Sequence, residues 1–352
     1  MPRAEESRSR ARAPSAAAPH VLHNDSRTPV SRRTIVAGAI VGIPISVALL
    51  TLSLRHLSGD QLTASLRGAD ARKLVLAVAV MSVVYVIQAA RWRLISGATH
   101  VRLIRFVEWV VGAVAVNNVV PGRAGDLLRA EWLSRGTRKP RASAISSVVV
   151  DRGLDVVTLV AILALTYPLV PHTAWLNHFW IAGAAVGVVV SAGFFAVMVY
   201  ACRRRAPAAR GLRGQVIDVI HGAGTMLHGR RGVGAVIRSV LAWTVWALSA
   251  WLVASSLGIA LTPLEVLFVT AVLNLGVAIP SSPGFIGTYQ WLAVSVLGNL
   301  GVAHADAFAF SVLMHAAWYV PTTFAGAALV LRKAPRALAG ALVQRPSENH
   351  AA

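Results

Sequence analysis

Two clusters of opposite charges stand in a chain that is otherwise poor in them. Arg123, Asp126 and Arg129 are spaced three apart around Gly125, and Asp151, Arg152 and Asp155 follow on the next apolar stretch. The planar donor fork of arginine suits a phosphate, whereas carboxylates suit an amine or a proton. Together the six residues could hold a ligand that carries both a phosphate and an amine. If a helix starts near Gly125, its free N–H groups and dipole, with Arg123, form a ready anion site. Arg129 then falls on the face of Asp126 one turn later, and Asp151 and Asp155, four apart, share a helical face. The blander alternative is a solvated loop with intrahelical ion pairs, with Arg152 snorkelling to an interface. A charge at the centre of a membrane helix costs about 2.5–3.5 kcal/mol on insertion scales, so three charges entering an apolar stretch favour the binding reading.

The first cluster sits in punctuation that occurs twice. Pro121-Gly122-Arg123-Ala124-Gly125 and Pro283-Gly284-Phe285-Ile286-Gly287 each follow a short apolar run that holds an Asn. In membrane transporters, paired short segments broken by Gly and Pro in the two halves point to the substrate site. Asn118, Pro121, Gly122, Gly125, Pro280, Pro283, Gly284 and Gly287 are therefore expected to shape two broken segments.

Membrane helices must position these residues. The 352-residue chain is 56% hydrophobic, with a mean hydropathy of +0.62. Apolar runs at 35–54, 74–90, 145–167, 179–201, 236–257 and 305–331 approach or exceed the roughly 20 residues that cross a bilayer as a helix. Strands are excluded because the runs do not alternate, and helices alone satisfy their backbone within one segment. The net charge of +20 does not point to nucleic acid, because the arginines lie in short loops beside apolar runs.

Those arginines set the orientation. Arg27, Arg32 and Arg33 place the N-terminal tail inside, and Arg91, Arg93, Arg102 and Arg105 place the next basic loop there too. If residues 106–120 crossed fully, the stretch from Arg123 to Arg141 and every later basic loop would lie outside. A segment that dips in and returns keeps them all inside. By the same parity the break at 279–284 is entered from the opposite side, the pattern of an inverted repeat. Glu265 and His315 could join a proton path, with His315 equally suited to helix packing. Trp175, Trp180, Trp243 and Trp251 read as interfacial or lipid-facing.

Absences narrow the class. Cys202 is the sole cysteine and no Lys follows a Gly, so neither a thiolate metal site nor a Walker A loop is present. No catalytic residue, cofactor or metal is expected.

In order along the chain, Asn118 to Arg129, Asp151-Arg152-Gly153-Leu154-Asp155 and Pro280 to Gly287 resemble the lysylphosphatidylglycerol synthase transmembrane region, also called the flippase-like or UPF0104 family. The resemblance spans about residues 35–331. It implies an all-α, polytopic inner-membrane protein of about eight transmembrane helices, with re-entrant broken segments, that moves a polar lipid between leaflets. Bifunctional members carry a C-terminal aminoacyl-transfer domain. Only about twenty residues follow position 331 here, so that reaction is not expected, and other polar or polyisoprenoid lipids are plausible cargo. Asp126 and Asp151 stand where the family often has Glu, and Gln290 where Glu is common, which argues against a lysyl lipid. The expected organisation is a disordered basic tail (1–33), a membrane domain (34–332) and a C-terminal tail (333–352), with both termini cytoplasmic. Arg123, Asp126, Arg129, Asp151, Arg152 and Asp155 are the expected lipid-binding residues. A membrane enzyme or accessory subunit of lipid-linked sugar or aminoacyl-lipid synthesis is the alternative. The expected partners are the lipid and a separately encoded soluble synthase or glycosyltransferase.

Overall fold

Small residues let two long apolar helices approach closely, and the rest of the chain is arranged around that pair. The computed structural model describes residues 32–55, 57–120, 123–170, 226–277 and 282–343 and the isolated positions 189, 192, 193, 196 and 223, with side chains only between 43 and 332. Every regular element among them is helical: α1 (Arg32–Leu54), α2 (Gly59–Arg67), α3 (Ala71–Ile95), α4 (Leu103–Val119), α5 (Ala124–Thr137), α6 (Arg141–Thr166), α7 (Gly229–Ser256), α8 (Pro263–Gly276), α9 (Thr288–Asn299) and α10 (His304–Val343). The expected span at 179–201, most of the basic loop that follows it, Trp175 and Trp180 lie outside the described residues. So do Pro121, Gly122 and Pro280.

Among the described residues, helices α3 and α7 are the two long and apolar enough to cross a bilayer by length and composition. The expected all-helical class therefore holds, while the count of about eight spans does not follow from these elements. Helices α4, α5, α8 and α9 have 17, 14, 14 and 12 residues, too short for a simple crossing at 1.5 Å per residue. Helix α6 carries four charged residues, Arg141, Asp151, Arg152 and Asp155. Outward faces are apolar: Val75 on α3 is 72% exposed, Ile237 on α7 60% and Phe324 on α10 74%, a surface suited to lipid rather than water.

Ala77, Ala247, Ala250 and Ala254 line the buried α3–α7 contact region, and Ser249 Oγ donates to the Ala77 carbonyl at 2.9 Å. Asp70 caps α3 through the N–H of Arg72 and its own N–H donates to Ser256 O at the end of α7. Thr262 and Glu265 form a reciprocal capping box at the start of α8. Glu265 thus holds a helix end, which accounts for the residue without the proton path considered for it. Trp243 is buried against Trp246, so it is not the lipid-facing anchor expected, whereas Trp251 is exposed.

Both breaks turn the chain back on itself. A Cβ at Gly125 would stand 1.9 Å from the Ala113 carbonyl oxygen, and Gly112 and Gly136 lie against Trp132 and Trp109. Helices α4 and α5 are therefore an antiparallel hairpin pressed together through glycines. Gly276 meets Leu292 in the same way across α8 and α9. Close approach through small residues is how helices gain dispersion contacts where no hydrophobic drive exists between them.

The neighbour relations repeat. Helix α3 packs on α4 as α7 does on α8, α5 on α6 as α9 on α10, and α4 on α10 as α8 on α6. Exchanging α3–α6 with α7–α10 leaves this scheme unchanged, with the α3–α7 contact mapped onto itself. The chain offset that carries Gly125 to Gly287 also carries each helix of the first set close to its counterpart. An approximate twofold relation between the halves thus accompanies the repeated punctuation.

Gly125→Ala should lower the thermal unfolding midpoint of the detergent-purified protein, since the new methyl meets backbone and such overpacking costs about 1–3 kcal/mol. Gly287→Ala adds a strained φ of 91° to a methyl 2.1 Å from Ser46 O and should lower it as well. Gly298→Ala in α9, where nothing lies within 4 Å, should leave it unchanged or raise it.

Candidate functional site

Five of the six predicted charged residues meet, and a seventh residue completes them. Arg129, on the second turn of α5, places Nε 3.1 Å from Asp126 Oδ1 and Nη1 2.9 Å from Asp151 Oδ2. Arg152 places Nε 3.3 Å from Asp126 Oδ1 and Nη1 3.1 Å from Asp155 Oδ2. Arg91, near the end of α3, spans the remaining gap, with Nε 2.8 Å from Asp151 Oδ1 and Nη1 2.7 Å from Asp155 Oδ1. The order Arg91, Asp151, Arg129, Asp126, Arg152, Asp155 is a closed ring of alternating sign. Three guanidinium groups and three carboxylates sum to no net charge.

The ring is buried on one side and open on the other. The side chains of Arg91, Arg129 and Asp151 are 0%, 1% and 2% exposed, against 14% for Asp126 and 34% for Arg152. Neutral partners fix the buried side: Arg91 Nη1 donates to Ser239 Oγ on α7, which also bonds Thr158. The Arg129 guanidinium lies 4.9 Å from the Trp92 ring centroid, and the Trp92 indole N–H donates to Ser147 Oγ. Desolvating so many charges is costly, and it is offset by each guanidinium facing two carboxylates, although Arg91 Nη2, Arg129 Nη2 and Asp155 Oδ1 are buried without a hydrogen bond.

Arg123 does not join. It is the left-handed residue before α5, with a φ of 54° and no side-chain cap, and it is exposed on the rim beside Asp126. The anion site expected at this helix start is also partly occupied, because the Gly125 N–H donates to Asn117 Oδ1 at 2.8 Å. Arg91 was missed by sequence reasoning, which counted it among the loop arginines. Its signal was numerical: Asp126, Asp151 and Asp155 need three cations, and with Arg123 on the rim only Arg129 and Arg152 remain from the two clusters.

The second break meets the first. Gly284, with φ 71°, lies against Tyr319 and the Asn118 carbonyl, to which the Tyr319 hydroxyl donates at 3.4 Å. The Asn118 amide donates to Thr323 Oγ1 at 2.8 Å. Pro283 opens the 3₁₀ turn that holds Gly284, Ser282 N–H donates to Ser46 Oγ on α1, and Gly287 ends the break. Gln290 and His315 bond each other at 3.0 Å.

Basic residues gather at one end of the bundle. Lys139 Nζ donates to the Ser96 carbonyl just past α3, and Arg141 pairs with Glu131 across the α5–α6 turn. Partial burial, with Arg231 nearby, holds the Lys139 amine below its usual range.

Arg91→Met leaves two buried carboxylates short of a partner and should destabilise the protein by about 3–5 kcal/mol. Arg152→Met also frees two carboxylates, but at the half-exposed corner where water can reach them, and should cost less than Arg91→Met. Denaturant unfolding of both variants in one detergent checks the ranking, and equal losses would contradict the asymmetry of the ring.

Residues 35–326 match the family model described as the lysylphosphatidylglycerol synthase TM region. Glycosyltransferase AglD of Haloferax volcanii is 25% identical over 351 residues, covering 87% of this chain and 55% of that protein. A UPF0104 membrane protein of Methanothermobacter thermautotrophicus is 28% identical over 169 residues, covering 46% of this chain and 49% of that protein. The chain spans about half the length of these curated relatives. The family match takes in both hairpins and all six residues of the ring, and the chain belongs to the membrane-protein family of the lysylphosphatidylglycerol synthase TM region.

Proposed function

We propose that this protein moves a polar lipid between the leaflets of the cytoplasmic membrane, without a covalent reaction of its own. The ring of alternating charges with one open edge is the observation that supports this reading. The Arg152–Asp126 link is the longest of the six at 3.3 Å and joins the two most exposed members. A headgroup with a phosphate and an amine can enter that edge, the phosphate taking Arg152 with Arg123 from the rim and the amine taking Asp126. Each broken pair is replaced by a new one, so no charge is left unpaired in an apolar setting. A neutral headgroup has nothing to exchange and is refused.

Orientation follows from the basic end of the bundle, which the positive-inside rule assigns to the cytoplasm together with both termini. The twofold exchange of helix neighbours supports an inverted repeat whose hairpins enter from opposite sides, the architecture of alternating access. Similarity to a relative named as a glycosyltransferase favours a second reading, that of a membrane subunit serving lipid-linked sugar synthesis with a separately encoded soluble enzyme.

Leaflet translocation of fluorescent phospholipids in proteoliposomes tests the first reading. Wild type should move lipids with charged headgroups, and Arg152→Ala should slow them at least tenfold while inserting and folding normally. Folded wild-type protein that moves no lipid, or unchanged rates in Arg152→Ala, would overturn it. A co-purifying sugar-transfer activity that survives Arg152→Ala would favour the second reading.

A further inference from the structure

The second half of the chain carries a cluster of a different kind where the first carries the ring. The offset that takes Gly125 to Gly287 takes α5 and α6, which bear most of the ring, onto α9 and α10. There Tyr289, Gln290, His315 and Trp318 come together, with no charged side chain among them. Tyr289 and His315 ring centroids are 5.0 Å apart, His315 and Trp318 stack at 4.9 Å, and Tyr289 and Trp318 are 6.3 Å apart. Tyr289, His315 and Trp318 are 1%, 5% and 7% exposed.

Of the nine buried side-chain polar atoms without a hydrogen-bond partner among the described residues, three fall on these aromatic rings and three on the ring of charges. The Tyr289 hydroxyl, His315 Nε2 and Trp318 Nε1 are each buried without a hydrogen-bond partner. The Trp318 indole lies beside the Tyr289 hydroxyl, and His315 beside the Gly284 backbone, yet neither contact reaches hydrogen-bond geometry. Orphaned buried groups are rare and carry their full desolvation penalty, so each asks for an explanation.

Their polarity can be assigned. The Gly287 N–H donates to Gln290 Oε1 at 2.7 Å, which turns the amide nitrogen of Gln290 toward His315 Nδ1 at 3.0 Å. That nitrogen only donates, so Nδ1 accepts, and the neutral ring carries its hydrogen on Nε2. Glutamate at position 290 would accept from Nδ1–H instead and leave a lone pair on Nε2 of the neutral ring. All three orphans are thus donors: an imidazole N–H, an indole N–H and a phenol O–H. Three N–H and O–H groups that can donate, with only the Tyr289 oxygen and the Gly284 backbone near them as acceptors among the described residues, are complementary to an oxygen-rich anion.

We propose that Tyr289, His315 and Trp318 form a binding site for a phosphate oxyanion, a second headgroup station reached when the hairpin of α8 and α9 moves. The donor set stands independently of transport; only the identification of the phosphate as a lipid headgroup rests on the function proposed above. Gln290 is a positioning residue that sets the hydrogen of His315.

Isothermal titration of the full-length protein in a non-ionic detergent tests it, with three probes: short-chain phosphatidylglycerol, short-chain diacylglycerol and inorganic phosphate. Wild type should bind the phosphatidylglycerol, and Tyr289→Phe and Trp318→Phe, which keep a ring, should each weaken binding about tenfold or more, the worth of a hydrogen bond to a charged group. Thermal unfolding should show Tyr289→Phe at least as stable as wild type, since it loses an unsatisfied donor and keeps its shape, and Trp318→Phe, which also leaves a void, still folded with a cooperative transition. Inorganic phosphate that binds with the same dependence supports the site and names free anion as its source. Undiminished phosphatidylglycerol binding in both variants overturns the site, as does diacylglycerol binding with the same losses. Lipid binding lost in these variants without any translocation by wild type would leave the site standing and remove the transport reading.

Discussion

A charge placed among apolar helices has to be matched there, because no solvent is at hand to do it. That constraint organises the first half of this protein. Three arginines and three aspartates from α3, α5 and α6 satisfy one another in a closed circuit, and the helices must hold their relative positions for the circuit to close. Arg91 is the least replaceable member, since it is wholly buried and bridges two carboxylates on α6. Such a network need not bring large net stability, because replacing buried ion pairs by apolar side chains is often neutral. Its six links, of 2.7 to 3.3 Å, close together only while α3, α5 and α6 keep their relative positions.

Much of this was legible in the residues. The alternation of apolar runs and breaks announced an all-helical chain, and the repeated Pro-Gly-x-x-Gly marked both hairpins. Spacing brought Asp126 to Arg129 and Asp151 to Asp155, because local geometry on a helix is a matter of counting. Arg91 could not be read in the same way. Its partners lie far along the chain, and only the packing of α3 on α6 brings them near. The buried role of Trp243 and the joining of His315 to Gln290 were hidden for the same reason. Glu265 was overread as a membrane carboxylate, although Thr262 three residues earlier carried the capping signature that explains it.

The two halves share a plan but not a chemistry. Where the first has guanidinium groups and carboxylates, the second has an imidazole, an indole and a phenol on the matching helices. Repeats that keep their backbone while changing their polar groups can offer a ligand unlike surroundings at successive positions, and a ligand bound equally everywhere would have no reason to move on.

Asn118 adds a mechanical consequence. Its carbonyl faces Tyr319 and Gly284 at the second break, while its amide holds the hydroxyl of Thr323 on α10. The tip of one hairpin is therefore fastened to the tip of the other and to the long helix behind it. Displacing either tip breaks contacts made by the same residue, so a movement of one hairpin is felt at the other.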